Sequence, residues 1–337
     1  MPSPPLLKGG GVFTYAARDA INSLISQQGI ATQGNVFWVR PINGSDLNDG
    51  SSPGSAFKTL TAAQAAATAN QNDVVVLCAE GNSASKTTDY QATNLAWAKD
   101  GVHLIGLNSA PSIGQRSRVS NSATATVFGT LFTLSANGCL ISGIEFFQGA
   151  GPTTLAAAST CVNVSGSHNH FKNCQISGMG DTTRDYAGSN SLTLASTAEE
   201  NLFEDCYIGL STVIRATSVT EVIVAGPSAR NTFLRCHFDT YTSSTSFRLI
   251  QASTAIDRWL KLIDCDFTAA VNIPAAAVPA GVIGLTANPN GVILVRNPAI
   301  FSCGQITSAN NAYVYVLGML GSTSATLTGM YQPAKVS

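Results

Sequence analysis

Three stretches of the chain repeat one eight-residue pattern: NHFKNCQI at 169–176, NLFEDCYI at 201–208 and NTFLRCHF at 231–238. Each reads Asn-x-Phe-x-x-Cys-x-(Ile/Phe). Looser copies flank them: LKLIDCDF at 260–267 carries Leu260 in the Asn place, and ISGIEF at 141–146 carries Ile144 in the Cys place. The intervals between Cys174, Cys206, Cys236 and Cys265 are 32, 30 and 29 residues. A period near thirty in strand-like units is the signature of a solenoid, in which each repeat buries its apolar side only by stacking on its neighbours. The expected fold class is all-β.

Each repeat holds a second extended run upstream of the Cys segment: 160–164, 191–194, 221–224 and 247–250. These are alternating or β-branched and of strand length. Similar runs at 73–77, 101–105, 291–295 and 313–316 predict further coils. Asn169, Asn201 and Asn231 fall where the chain must bend. Asn tolerates left-handed backbone angles there, and its amide can bond to the equivalent amide on the next coil as a ladder. Leu260 ends that ladder.

Composition agrees with one elongated unit. Of 337 residues 11% are charged and 45% hydrophobic, and the net charge is −1 with Lys and Arg scattered. That leaves no electrostatic footprint for nucleic acid or for an anionic membrane. No run approaches a membrane span, and the first twenty residues lack the charged end and long apolar stretch of a secretory leader. Four of the eight Cys share one phase of the repeat and no Cys-x-x-Cys occurs, so they read as a reduced, packed interior column and not as a zinc site.

Four segments are expected: an arm at 1–34, a leading strand, turn and capping helix at 35–72, the solenoid at 73–320, and a tail at 321–337. The Ala-rich stretch 57–70 reads as the helix that covers the open end of the rod, with Thr61 and Gln64 as its capping box. In the arm, Pro2, Pro4 and Pro5 impose an extended start and Gly9 to Gly11 a hinge. Val12, Phe13, Ala16, Ala20, Leu24 and Ile25 then form the apolar stripe of a short helix, an assembly element that needs a partner.

The segment from Phe37 to Ala67 resembles the start of right-handed parallel β-helix proteins, the pectate-lyase-like superfamily. The matching features are Gly44-Ser-Asp46-Leu-Asn48-Asp49-Gly50, then Phe57-Lys-Thr59-Leu60, a helix, and Asp73-Val-Val-Val. The resemblance implies a right-handed, single-stranded parallel β-helix of three sheets around a side-chain-filled interior. It leaves function open, because that superfamily holds polysaccharide lyases and hydrolases, phage tailspikes and virion proteins without catalysis.

If Cys206 and Ile208 point inward along one strand, alternate residues point outward, and the sharpest candidate surface is Asp205, Arg235, His237, Asp264 and Asp266. Carboxylates on adjacent coils with Arg and His between them suit binding and cleavage of a sugar polymer by paired acid and base roles. The alternative is a ladder of opposite charges from coil to coil. The ladder is favoured, because the Asn-x-Asp, Asp-Asp, Gly-His and Arg-x-Lys set of polygalacturonase-like members does not occur. Asp46, Asn48 and Asp49 read as a side-chain-stabilised turn, not a calcium loop. No cofactor and no metal are expected.

The function expected is a non-enzymatic virion structural protein, a tailed-phage capsid decoration or cement protein anchored by its arm. Its expected partners are itself, as a homotrimer, and the major capsid protein; no nucleic acid or membrane partner is expected. The alternative is a tailspike or polysaccharide-degrading β-helix with a surface glycan as ligand.

Overall fold

The computed structural model describes residues 34–80, 88–91, 93–107, 116–121, 129–149, 157–252, 256–271, 273–285, 290–307 and 311–317. The expected arm, Gly34 apart, and the tail at 321–337 lie outside the described residues. Almost every regular element is a short strand, and the strands form three parallel sheets of ten, eight and seven members. Successive strands of the chain enter the first, second and third sheets in turn, so each strand pairs with the one a full turn away. This is a parallel β-solenoid.

One turn shows how the repeat builds it. Thr160–Val164 lies in the third sheet, His170–Lys172 in the first and Gln175–Ser177 in the second. The eight-residue pattern thus spans two strands in two sheets. This corrects the expectation of one strand, in which Asp205 and Tyr207 share a sheet. Between the two strands sits one residue in the left-handed region: Gly143, Asn173, Asp205, Arg235, Asp264 and Asn297 on successive turns, with φ of 70, 52, 53, 51, 53 and 47°. Each donates its N–H to a carbonyl of the next turn, as Asp205 does to Leu234 at 3.0 Å and Arg235 to Ile263 at 2.8 Å. The left-handed step turns the strand through a corner, which puts the following Cys back into the interior.

The Asn positions make the other corner through their side chains. Asn201 Oδ1 accepts the N–H of Asn169 at 3.0 Å, and Asn231 Oδ1 accepts both the N–H and the Nδ2–H of Asn201 at 3.0 Å. Their left-handed neighbours are the residues just before, His168, Glu200 and Arg230, at φ of 57, 54 and 56°. Asn therefore serves here as a buried ladder and not as the left-handed residue. The ladder ends as expected, since Leu260 is the partner of Asn231 on the following turn.

Inside, equivalent side chains stack into columns. Phe171, Phe203 and Phe233 are fully buried, with ring centroids 4.8 and 4.7 Å apart. Cys174, Cys206, Cys236 and Cys265 form the adjacent column as free thiols, each donating to a carbonyl of the preceding turn. Burial pushes the Cys174, Cys206 and Cys236 thiols well above the ordinary range, so these three stay protonated.

At the N-terminal end Val36–Val39 opens the first sheet beside Val74–Leu77. The helix is Leu60–Ala66, and Leu60 and Ala63 drive it into the interior cluster. Its N-cap is Thr59, whose hydroxyl accepts the Ala62 N–H, so Thr61 lies inside the helix and not at the expected capping box. The turn before it is side-chain-stabilised: Asp46 accepts the N–H groups of Lys58 and Thr59 at 2.9 Å, and Asn48 donates to the Ala56 carbonyl.

Candidate functional site on the solenoid edge

The corner and the second sheet bring the sequence candidates into two adjacent columns. Asp205, Arg235 and Asp264 occupy the left-handed corner on three successive turns. Tyr207, His237 and Asp266 are register partners just beyond, in the second sheet. All five predicted residues therefore share one edge of the rod.

Within that edge the groups are paired along the rod axis. Arg235 forks onto Asp205, with Nε to Oδ1 at 2.7 Å and Nη2 to Oδ2 at 2.9 Å, and Nη2 also reaches Glu204 at 2.6 Å. Those two side-chain contacts hold the Arg235 guanidinium above its ordinary range. Asp264 takes its partners from the opposite side, Asn297 Nδ2 and Arg296 Nη2, both at 2.9 Å, which lower its pKa. The expected alternation Asp205, Arg235, Asp264 is thus resolved into two units, Glu204/Asp205 with Arg235 and Asp264 with Arg296 and Asn297. Asp266 faces His237 at 4.0 Å, and the Tyr207 ring lies 4.6 Å from that of His237.

A bidentate guanidinium orients its carboxylate and occupies both of its oxygens. That geometry suits a ladder. Trp259, on the neighbouring strand Asp257–Ile263, carries Lys261 Nζ 3.9 Å above its ring. Among the described residues no cluster of three or more His, Cys, Asp and Glu is placed to hold a metal ion, and no helix is long and apolar enough to cross a membrane.

A fully buried polar constellation lies elsewhere and escaped sequence analysis. Glu221 and Arg215 are both fully buried, with Nε 3.5 Å from Oε1. Glu221 also accepts from Ser191 at 2.5 Å and Thr240 at 3.1 Å. Arg215 donates to the carbonyls of Gly178 and Val213, and the neighbouring Tyr207 hydroxyl donates to Asp239 at 2.5 Å. Burial raises the Glu221 pKa against the opposing pull of Arg215. These contacts join strands of the second and third sheets to the Gly178 carbonyl just after Gln175–Ser177. The one sequence signal was Glu221 itself, an acid opening the β-branched run Val222-Ile-Val224.

No family model matches the chain, and no curated protein does. Solved structures share its fold. Pectate lyase Pel9A superposes with a TM-score of 0.56 at 15% identity, over 90% of this chain and 79% of that one. The deglycosylated pectin methylesterase from Aspergillus niger superposes with a TM-score of 0.53 at 13% identity, over 90% and 92%. ORF18 of Geobacillus virus E2 matches with a TM-score of 0.44 at 12% identity, over 87% and 57%. The fold is that of the pectate-lyase and pectin-methylesterase β-helices.

Proposed function

We propose that this chain is a non-enzymatic structural protein of a virus particle, a rigid rod that decorates the capsid of a tailed phage as a homotrimer seated on the major capsid protein. One observation carries the non-enzymatic part: the edge carboxylates are engaged turn to turn, Asp205 by Arg235 and Asp264 by Arg296 and Asn297. An edge so paired stiffens the rod, and it leaves Asp266, 4.0 Å from His237, as the one carboxylate of the five candidates without an Arg partner among the described residues. The scarcity of charge, at 11% of residues, suits a wall that packs against other protein. Imaging the particle tests the location. Trimeric density at capsid symmetry axes is the expected result, and density confined to the tail tip overturns it.

A second reading, a tailspike or polysaccharide-binding β-helix, draws on the half-buried Trp259 under Lys261 and on the fold shared with pectin-acting enzymes. In that reading Asp205, Arg235, His237, Asp264 and Asp266 line a glycan site. It predicts retention on an immobilised acidic polysaccharide that Trp259→Ala abolishes; the decoration reading predicts no retention.

A further inference from the structure

Phe and Cys columns fill two parts of the interior, but polar side chains line the corner between the second and third sheets. Phe146 belongs to the interior cluster, and the Gln148 N–H prolongs the ladder of Glu145–Phe147 by donating to the Ser177 carbonyl at 3.0 Å. Strand alternation therefore turns the Gln148 side chain inward, where it is 0% exposed. Ser120 pairs with Phe147 and Asn121 with Gln91, so the same place is taken on the two preceding turns by Asn121 and Gln91, both buried. On the following turn Gly178 takes it. The Gly178 N–H donates to Ser191 Oγ, and its carbonyl accepts from Arg215, which ties the corner to the buried Arg215 and Glu221 cluster.

Two further segments meet here. Gly180 donates to the Gln148 carbonyl at 2.7 Å and Arg184 Nε to the Gly149 carbonyl at 2.9 Å, which fastens the connection after Ser177 to this place. Asp185 of that connection accepts the N–H groups of Ala216, Thr217 and Ser218 and so fixes the next one beside it. Neither Oε1 nor Nε2 of Gln148 has a hydrogen-bond partner among the described residues, and the same holds for the buried hydroxyls of Thr183 and Ser218. At the Asn corner the amides satisfy one another from turn to turn. Gln148 lacks that route, because Gly178 has no side chain with which to continue an amide ladder.

The chemistry of the orphaned groups selects what binds them. Gln148 presents donors at Nε2 and an acceptor at Oε1, and each hydroxyl is both donor and acceptor. A cation would serve the oxygens alone, and an anion the N–H and O–H groups alone. A buried amide with both ends unmade is costlier than hydrocarbon of the same shape, so the demand on a partner is real. Water donates and accepts, and it is the small molecule that enters a polar gap between packed side chains.

We infer that this corner is an internal water site: the Gln148 amide binds an ordered water molecule, the Thr183 and Ser218 hydroxyls bind others, and these molecules join the two connections to the interior of the rod. The site lets segments that break the repeat close over the solenoid without a matching ladder of their own.

A crystal structure of the full chain, at a resolution that shows ordered water, tests this. A water peak about 2.7–3.2 Å from Gln148 Oε1 or Nε2 is expected. No peak there, or a protein group bonded to the amide in its place, overturns the proposal. Gln148→Met keeps the volume and removes both polar atoms, so in that variant the peak should vanish and the melting temperature should fall by several degrees as the water's other partners are stranded. A melting temperature that holds or rises shows that Gln148 sits dry, and a peak that persists shows that other groups hold the water; either overturns the assignment. If the variant does not fold, the structure of the unaltered chain decides alone.

Discussion

Phe203 stacks on Phe233 across one turn of the solenoid, with ring centroids 4.7 Å apart and planes inclined by 19°. Phe171 stacks on its other side at 4.8 Å, so Phe203 is held between two rings with none of its surface exposed. The spacing is that of neighbouring strands, which is why one residue type repeated every thirty positions fills a column without gaps.

Phe203→Ala should therefore leave a cavity that the turns above and below cannot close. The expected loss is about 3–5 kcal/mol in denaturant unfolding. Leu202→Ala, one residue away on the outer face, should cost less than about 1 kcal/mol. Equal losses at the two positions would contradict the register.

The buried pair of Arg215 and Glu221 makes a different prediction. Glu221→Gln leaves a guanidinium without its counter-charge in a site closed to water, and should destabilise by about 3–5 kcal/mol. Replacing both residues by Met should recover most of that loss, as measured by thermal melts of the single and double variants. A double variant no better than Glu221→Gln would show that the pair's hydrogen bonds to Ser191, Thr240 and the Gly178 carbonyl matter more than charge.

His103 supplies a pH dependence. Burial pushes its pKa down from 6.5 to about 4, so the fold holds it neutral. Between those values the unfolded chain takes up a proton that the folded chain refuses, so its contribution is fully present above pH 6.5 and is lost as the pH falls toward 4. The loss amounts to about 3 kcal/mol. His103→Gln should flatten the fall in melting temperature between pH 6.5 and 4. An unchanged slope would place the titrating group elsewhere.

Much of this architecture was legible in the sequence because the interior demands the same residue at the same phase. Phe171, Phe203 and Phe233, the Cys column and the Asn ladder all announce themselves, as does the end of the ladder at Leu260. The corner did not, because a left-handed residue is usually sought as Gly or Asn, and here Asp205, Arg235 and Asp264 fill the position. Gly143 in the upstream copy was the available clue: it shares the phase of Asn173 and Asp205 and marks a break between two strands. The five candidate residues lie along one edge, yet the pairing of Asp264 depends on Arg296 and Asn297, whose turn no longer carries the Asn, Phe and Cys of the pattern. The Arg215 and Glu221 pair occurs once, between the end of strand Tyr207–Arg215 and the strand Thr220–Val224 that follows it, and so left no repeat to read.

The proposed function requires the charged edge to be a ladder and not a cutting site. Purified protein incubated with a panel of pectic, other acidic and neutral polysaccharides tests it directly, with reducing ends, released methanol and unsaturated products followed together. A ladder gives no product above a heat-denatured control, and only small stability changes, under about 1 kcal/mol, for Asp264→Asn. Product formation that Asp264→Asn or Asp205→Asn abolishes, with the fold intact by circular dichroism, would contradict it.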